Sequence, residues 1–354
     1  MMRHLRWAIG LLIGGIAFYV AVAGVDWQDV GSALADANYA LLIGAVPILL
    51  ALYVMRAQRW RLLFYPDTHV RLLSTFGSLS IGYMMSLILP VQLGEVARVY
   101  ELGERENIRK ARVLSTVAVE RMLDVFVLLA ILALLIPFVD LPQAAFVTAA
   151  LFLAIFVALA IVVAVSVLDR ARVEGWAEKL SAPLPARGRE AVRGLSHSLL
   201  DGLSALSSPR IWVQVSAWTV LSWLTSAAII YMVLRAMSLD VPVAAAPFLL
   251  VATSFGFFIP SSPGAVGVYH AISIASLTIV FSVDREPATS YALVAYALYV
   301  IPPTILGGYF FWWHHLAGRQ IRPPAEEQVA APGGSVDRSV EQGSTTQGEP
   351  PQPS

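Results

Sequence analysis

Eight apolar segments, each close to or above the length of a membrane-spanning helix, constrain the fold of this chain more than any other feature. They occupy residues 8–25, 39–55, 72–90, 122–138, 144–167, 211–234, 246–281 and 289–313. A helix needs about 20 mainly apolar residues to cross the hydrocarbon core of a bilayer. Only 14% of the residues are charged, against about a quarter in an average soluble domain. The sequence therefore predicts an all-α polytopic membrane protein.

The distribution of Lys and Arg predicts how many of these segments cross the membrane. Loops rich in Lys and Arg stay on the cytoplasmic side. If every segment crossed once, the basic stretch 91–121 would face outside. If segments 72–94 and 246–281 instead enter and return on one side, all cationic residues except Arg235 and Arg285 become cytoplasmic. We therefore predict six full crossings plus two re-entrant helical hairpins, with both termini in the cytoplasm.

The first segment has a second interpretation as a signal peptide. Arg3 and Arg6 precede it, and Ala21-Val22-Ala23 resembles a cleavage site. The apolar run 8–25 is longer than a usual signal core and close to spanning length. We predict that it is retained as the first helix; Gly24 as the first residue of the mature protein would contradict this.

Each predicted hairpin contains a break rich in Pro and Gly. The breaks share the pattern Leu/Ile-Pro-x-x-x-Gly-x-Val, at 89–96 and 259–266, offset by 170 residues. Non-helical backbone at membrane depth is tolerated only inside protein or beside a wet cavity, so we expect the breaks to face each other across a central site. Repeat one (1–140) and repeat two (141–317) would form an inverted repeat, a recurrent transporter construction. Alternatively, Pro and Gly merely kink two ordinary helices. The residues expected to shape the breaks are Pro90, Gly94, Pro260, Pro263, Gly264 and Gly267.

Two stretches lie outside the apolar segments. Residues 168–210 alternate basic and apolar positions, which predicts one or two amphipathic helices on the cytoplasmic lipid surface; a solvated connector is the alternative. Residues 318–354 are rich in Pro, Gly, Ser, Gln and Glu without apolar periodicity, which predicts a disordered cytoplasmic tail. The membrane domain is thus expected to occupy residues 1–317.

Charged side chains in or beside membrane segments are costly and usually have a partner or a task. Glu95 and Arg98 share one helix face, and Glu120 and Asp124 lie one turn apart on either side of Arg121. We predict that Arg98 and Arg121 bind an anionic headgroup, with the three carboxylates as supporting groups. The alternatives are an interfacial ion pair for the first two residues, and positions favoured by the dipole at a helix start for the other carboxylates.

Two other groups of residues give weaker signals. Arg59, Trp60 and Arg61 follow the second segment, where arginines and an aromatic ring suit the headgroup layer, so they are predicted interfacial anchors. His270 lies inside an apolar stretch and is a candidate for a substrate or proton role. A packed, hydrogen-bonded histidine is the alternative for that position.

Several kinds of chemistry find no support in the sequence. The chain has no Cys, which excludes disulfides, thiolate metal sites and cysteine nucleophiles. It has no Walker A loop, dinucleotide fingerprint or Gly-x-Ser-x-Gly elbow, and no metal-ligand spacing around His270. The formal net charge of zero argues against a nucleic-acid partner. We therefore predict no metal, no cofactor and no nucleic-acid partner.

Four spaced motifs resemble the lysylphosphatidylglycerol synthase transmembrane, or flippase-like, family. They are Arg59-Trp60-Arg61, Pro90-x-x-x-Gly94-Glu95-x-x-Arg98, Glu120-Arg121-x-x-Asp124 and Pro260-x-x-Pro263-Gly264-x-x-Gly267. In that family the membrane domain of a bifunctional resistance factor moves aminoacylated phosphatidylglycerol between leaflets, and archaeal glycosylation and hopanoid-associated proteins are related. The resemblance implies a translocator of an anionic phospholipid or lipid-linked headgroup in the cytoplasmic membrane. Its expected partners are anionic membrane lipids and a separate lipid-modifying synthase.

The chain departs from the family pattern in three respects. His270 stands where many members have Glu, and Gln92 stands where arginine is often found, which leaves the lipid open. The soluble aminoacyl-transfer domain is missing after the last apolar segment, so we expect no synthase activity and expect that the chain is not an enzyme. Two alternatives remain open: an intramembrane enzyme acting on a phospholipid or polyprenyl phosphate, and a non-transporting membrane scaffold.

Overall fold

The structure is a computed structural model that describes residues 15–16, 18–20, 22–66, 69–89, 93–139, 208–257 and 262–317, with a few positions between 154 and 190. Within these residues every regular element is helical. The helices are α1 (Trp27–Ala35), α2 (Tyr39–Leu62), α3 (Leu72–Ile88), α4 (Gly94–Arg105), α5 (Lys110–Leu135), α6 (Pro209–Ala236), α7 (Ala245–Gly256), α8 (Val266–Ala275) and α9 (Arg285–Trp312). Short turns of other helix types adjoin them at Ile136–Phe138, Pro263–Ala265, Ser276–Val280 and Trp313–Ala317.

Several predicted features lie outside the described residues. They are the start of segment 8–25, nearly all of segment 144–167 and of the amphipathic loop 168–210, the tail 318–354, and the break residues Pro90 and Pro260.

Five of the described helical stretches are long and apolar enough to cross a membrane. They are Tyr39–Leu62, Lys110–Phe138, Pro209–Ala236, Pro263–Val280 and Arg285–His315. The helices α3 and α7 are apolar but shorter. The prediction of an all-α polytopic membrane protein is therefore confirmed. Because one arm of the second predicted hairpin is itself of spanning length, the count of six crossings plus two hairpins stays a prediction.

The predicted start of segment 122–138 was wrong. The helix α5 begins at Lys110, because the residues before the apolar run also have a face to bury. Val113 and Val117 on that face are 0% and 4% exposed and belong to the same buried cluster as side chains of α2. Glu120 therefore lies in the middle of a helix, and a favourable dipole at a helix start does not explain its position.

The first break separates two helices that pack against each other. A Cβ on Gly94 would overlap the carbonyl oxygen of Gly82 and the side chain of Ser86, and a Cβ on Gly82 would lie 2.9 Å from the Cβ of Arg98. Later residues of α4 thus meet earlier residues of α3, so the two helices are antiparallel. The close approach of their backbones places Arg98 in the interior, with 1% of it exposed.

The second break lies beside the last turn of α3. Pro263 opens a 3₁₀ turn, Gly264 has a φ of +69°, and Gly267 is buried in the first turn of α8. The Tyr296 hydroxyl donates to the carbonyl oxygen of Gly264 at 3.0 Å. A Cβ on Gly264 would lie 3.5 Å from Cδ2 of Leu87. The end of α3, which leads into the first break, therefore contacts the second one.

The helices α2 and α6 contact each other through residue pairs with one regular offset. The Thr225 hydroxyl lies 3.8 Å from the sulfur of Met55, and Arg56 donates to the hydroxyl of Ser226 at 3.2 Å. In both pairs the partners are 170 residues apart. The same offset separates the starts of the two helices and the two Pro-to-Gly breaks.

These two helices run in opposite directions. The amide of Asn38, which precedes α2, donates to the carbonyl oxygen of Ala236 at the end of α6, at 2.8 Å. A Cβ on Gly44, in the second turn of α2, would lie 4.0 Å from Cε of Met232. The start of α2 therefore lies beside the end of α6.

Replacing Gly94 by Ala is expected to destabilise the protein by about 1–3 kcal/mol, because the added methyl group has no space against the backbone of α3. Thermal unfolding of the purified protein in detergent measures this. Gly31→Ala is the matched control, since nothing lies within 4 Å of a Cβ added there and Ala favours a helix. An unchanged unfolding temperature for Gly94→Ala would contradict the close packing of α3 and α4.

Candidate functional site

Six charged side chains from three helices form one ion-pair cluster, which we call the charge cluster. Its members are Arg59 from α2, Glu95 and Arg98 from α4, and Glu120, Arg121 and Asp124 from α5. The formal charges of three arginines and three carboxylates cancel. All five residues predicted from the sequence to form an anion site in this region are therefore brought together, and Arg59 joins them.

Glu120 lies at the centre of the charge cluster and is fully buried, with 0% of it exposed. Its Oε1 accepts a hydrogen bond from Nη2 of Arg59 at 2.7 Å, and its Oε2 accepts one from Nη1 of Arg98 at 2.9 Å. Each carboxylate oxygen thus holds one buried guanidinium. This single side chain on α5 links α2 to α4.

Asp124, one turn after Glu120, extends the cluster to α6. Its Oδ1 lies 2.5 Å from Nη1 of Arg59 and accepts a hydrogen bond from the indole nitrogen of Trp223 at 3.2 Å. Asp124 is 6% exposed. Buried ions that are both paired and hydrogen-bonded avoid the full cost of losing water. The second helix of the α2–α6 pair therefore also contacts the charged centre.

Arg98 is held by two carboxylates and an aromatic ring. Its Nε donates to Glu95 at 2.7 Å and its Nη1 to Glu120 at 2.9 Å. Its Cζ lies 4.8 Å from the centre of the Trp60 ring, within the range of a cation–π contact. Because carboxylates and an aromatic face surround it, Arg98 acts here as a structural cation; a ligand would have to displace these partners to reach it.

Arg121 differs from the other two arginines in both exposure and pairing. Its side chain is 42% exposed, whereas those of Arg59 and Arg98 are 2% and 1% exposed. Its ion pairs are long: 3.2 Å to Glu95, 3.5 Å to Asp124 and 3.8 Å to the remaining carboxylate. Arg121 is therefore the accessible and loosely held cation of the cluster.

The structure places Arg59 and Trp60 in the interior, in contrast to the interfacial anchors predicted from the sequence. They are 2% and 0% exposed, and the Trp60 indole donates to the Thr116 hydroxyl at 3.0 Å. Arg61 is partly exposed. The anchor interpretation fails for the first two residues because their partners are on α5, and no pattern within α2 indicates those partners.

His270, predicted as a substrate contact, lies apart from the charge cluster. It is 2% exposed, and its Nδ1 forms a hydrogen bond with the carbonyl oxygen of Val266. Its ring centroid is 4.8 Å from that of Tyr296 and 5.3 Å from that of Phe18. These are the contacts of a packed histidine, and within the described part of the chain they include no member of the charge cluster.

A second polar group was not predicted from the sequence. Nδ1 of His314 lies 2.7 Å from Glu101, and Nε2 of His315 lies 3.4 Å from the same carboxylate. These residues line a cavity of about 440 Å³ between α4 and the end of α9. They tie the end of α9 to the helix that supplies Glu95 and Arg98. No set of side chains suited to a metal ion is found among the described residues.

The family of the chain follows from a match over most of its length. The model of the family described as "Lysylphosphatidylglycerol synthase TM region" matches residues 7–307, a range that contains the charge cluster and both breaks. The chain belongs to this family. The predicted resemblance is confirmed, and the protein is a multi-pass membrane protein.

One curated relative also aligns with most of the chain. It is named Glycosyltransferase AglD, from Haloferax volcanii, and is 22% identical over 334 residues, which cover 84% of this chain and 52% of the relative. The chain thus spans about half the length of the relative it matches. No solved structure matches the chain.

The expectation that this chain is not an enzyme is wrong by this comparison, because the relative that aligns with it is named a glycosyltransferase. That expectation depended on the residues that follow the last apolar segment and on the lack of known catalytic motifs. Carboxylates that act as acid and base are brought together by the fold and have no fixed spacing along a sequence. The lack of a motif therefore could not exclude catalysis.

Replacing Arg59 by Met is expected to destabilise the protein by about 3–5 kcal/mol, because Glu120 and Asp124 would stay buried without their shared partner. Thermal unfolding in detergent measures the change. In the control Lys110→Met, the lost ammonium group is 43% exposed and its partner Glu104 is 71% exposed, so only slight destabilisation is expected. Equal destabilisation by both variants would contradict the burial of the charge cluster.

Proposed function

We propose that this protein moves an anionic phospholipid, or a lipid-linked anionic headgroup, across the cytoplasmic membrane. The charge cluster carries this proposal, because it holds one accessible cation, Arg121, against the apolar helices of a membrane domain. A charged residue at the centre of a bilayer costs about 2.5–3.5 kcal/mol on insertion scales. Charged residues in membrane segments therefore usually have a partner or a task, and the exposure of Arg121 favours a binding task for this cluster.

A lipid phosphate would bind at Arg121. The contacts of this guanidinium with carboxylates, at 3.2 to 3.8 Å, are longer than the 2.5 to 2.9 Å contacts of the two buried arginines. A phosphate oxygen could therefore replace a loose contact by a shorter, charge-assisted hydrogen bond. Glu95, whose side chain is 26% exposed, borders the same opening. Glu120 and Asp124 would keep the surrounding helices in place while the ligand binds.

The movement between leaflets would use an inverted repeat whose halves meet where α2 crosses α6. The pairs Met55–Thr225 and Arg56–Ser226 join positions with the offset of the two breaks. In two antiparallel helices, residues that occupy equivalent positions in the two repeats can touch only near the two-fold axis that relates the repeats. Because α2 and α6 are antiparallel, that axis would lie in the plane of the membrane. Transporters of this construction bind substrate between the repeats and expose it to each side in turn.

A second candidate function is group transfer to or from a lipid-linked substrate such as a polyprenyl phosphate. The name of the aligned relative favours it. Glu95 would be the acid or base to test, because its side chain is 26% exposed while those of Glu120 and Asp124 are 0% and 9% exposed. Both candidate functions begin with the same step, the binding of a lipid phosphate at Arg121.

Liposomes that contain the purified protein and leaflet-labelled phosphatidylglycerol are expected to equilibrate the label between leaflets. Arg121→Gln is expected to slow this by about tenfold or more, since a hydrogen bond to a charged group contributes about 1.5–3 kcal/mol. Arg71→Gln, which removes an exposed guanidinium on another surface, is the matched control and should keep the wild-type rate.

The outcomes of this assay separate the candidate functions. No protein-dependent movement of any anionic lipid would contradict translocation. A changed lipid in the mass spectrum that disappears with Glu95→Gln would favour group transfer. Equal rates for Arg121→Gln and wild type would show that the anion binds elsewhere.

The inverted repeat predicts that Ala111 and Ser282 lie on opposite sides of the membrane. The chain has no natural Cys, and both residues are exposed, so single cysteines at these positions should react with an impermeant maleimide from opposite faces of oriented vesicles. Glu104→Cys is the control and should label from the same face as Ala111→Cys. If Ala111→Cys and Ser282→Cys react from one face, the inverted repeat is excluded.

A further inference from the structure

We propose that Arg56 is a second anion contact, which receives the lipid phosphate after Arg121 and favours headgroups with a single negative charge. This role depends on the proposed translocation and adds a residue and a substrate class to it. Arg56 lies in α2, one turn before Arg59. In the predicted topology this places it one turn further from the cytoplasmic end of the helix than the charge cluster.

The hydrogen-bond partners of Arg56 within the described part of the chain are neutral. Its Nη1 donates to the hydroxyl of Tyr83 and its Nη2 to the hydroxyl of Ser226, each at 3.2 Å. Its Cζ lies 5.9 Å from the centre of the Trp223 ring. No ion pair with a described carboxylate compensates its charge, although every arginine of the charge cluster has such pairs. A partly buried guanidinium without an ion-pair partner gains stability when an anionic ligand binds to it.

The position of Arg56 connects the charge cluster to the crossing of α2 and α6. Trp223 donates its indole N–H to Asp124 in the cluster at 3.2 Å, and the same ring lies next to the guanidinium of Arg56. Ser226, the other α6 partner of Arg56, lies 170 residues after it, which is the offset between the two proposed repeats. A phosphate that leaves Arg121 toward the centre of the protein would therefore meet Arg56 next.

The charge of this region indicates which headgroup fits. The six members of the charge cluster sum to zero, so Arg56 adds one positive charge that has no ion pair of its own among the described residues. A phosphodiester carries one negative charge and would neutralise it. A phosphomonoester carries about 1.5 to 2 negative charges at neutral pH and would leave the site negative. We therefore expect phosphodiester lipids to move faster than phosphomonoester lipids.

A purely structural role makes a different prediction, because Arg56 also joins three helices through its hydrogen bonds to Tyr83 and Ser226. The double variant Tyr83→Phe with Ser226→Ala removes both bonds and keeps the charge. Arg56→Gln removes the charge and keeps a side chain that can donate hydrogen bonds. Arg56→Lys restores the charge without the planar guanidinium.

The experiment compares these variants with wild type and Arg121→Gln in liposomes that carry leaflet-labelled phosphatidylglycerol or phosphatidic acid. Arg56→Gln is expected to slow phosphatidylglycerol movement by about tenfold, because one charge-assisted hydrogen bond is lost. This variant should also move phosphatidylglycerol no faster than phosphatidic acid. Arg56→Lys should recover most of the rate. The double variant Tyr83→Phe with Ser226→Ala should stay within about twofold of wild type, because it keeps the cationic guanidinium that the phosphate would contact. Equal unfolding temperatures in detergent would show that all variants are folded.

Two results would overturn the role of Arg56 while leaving translocation in place. One is a wild-type rate and preference for Arg56→Gln when Arg121→Gln is slow. The other is a double variant as slow as Arg56→Gln, with no recovery in Arg56→Lys, which would show that the hydrogen bonds matter and the charge does not. If wild type moves neither lipid, the proposed function and the role of Arg56 both fail.

Discussion

The burial of Arg59, Arg98, Glu120 and Asp124 between membrane helices is the constraint on which the rest of the structure depends. A lone charge in this position would be strongly unfavourable, and the cluster is tolerated because each buried charge lies within a few ångströms of an opposite one. Loss of any one member would leave another uncompensated, so the members must stay together. Glu120 and Asp124 thereby fix the positions of α2, α4 and α6 around α5.

The first break contributes to this arrangement through backbone packing. Arg98 reaches Glu120 only because α4 lies directly on α3, and that contact requires the absence of a Cβ at Gly82 and Gly94. A break that looks like a simple interruption of an apolar segment therefore also sets the depth of a buried cation. The same short helix carries Glu101, so the contact of His314 at the end of α9 acts on the element that positions the cluster.

Much of this could be predicted from the sequence, because charged residues inside apolar segments are rare and stand out. Arg98, Arg121 and the three carboxylates were identified in this way. The partner role of Arg59 was not, since only the packing of α2 on α5 brings residues so distant in sequence together. The true start of α5 was missed for the same reason: Val113 is buried by another helix, and hydropathy along one segment does not show this. His270 stood out equally but is packed among aromatic rings, so rarity alone does not separate a site from a core.

The contact between Arg56 and Ser226 has a consequence for the proposed inverted repeat. At this crossing the two halves would meet like the subunits of an isologous dimer, in which each residue faces its own counterpart. Two arginines there would repel each other, and serine in the second half removes that conflict. The proposed repeat would thus duplicate the scaffold without duplicating the charge. A headgroup that approaches from one half would meet a cation, and one that approaches from the other would meet a hydroxyl, so the two directions of passage would differ in energy.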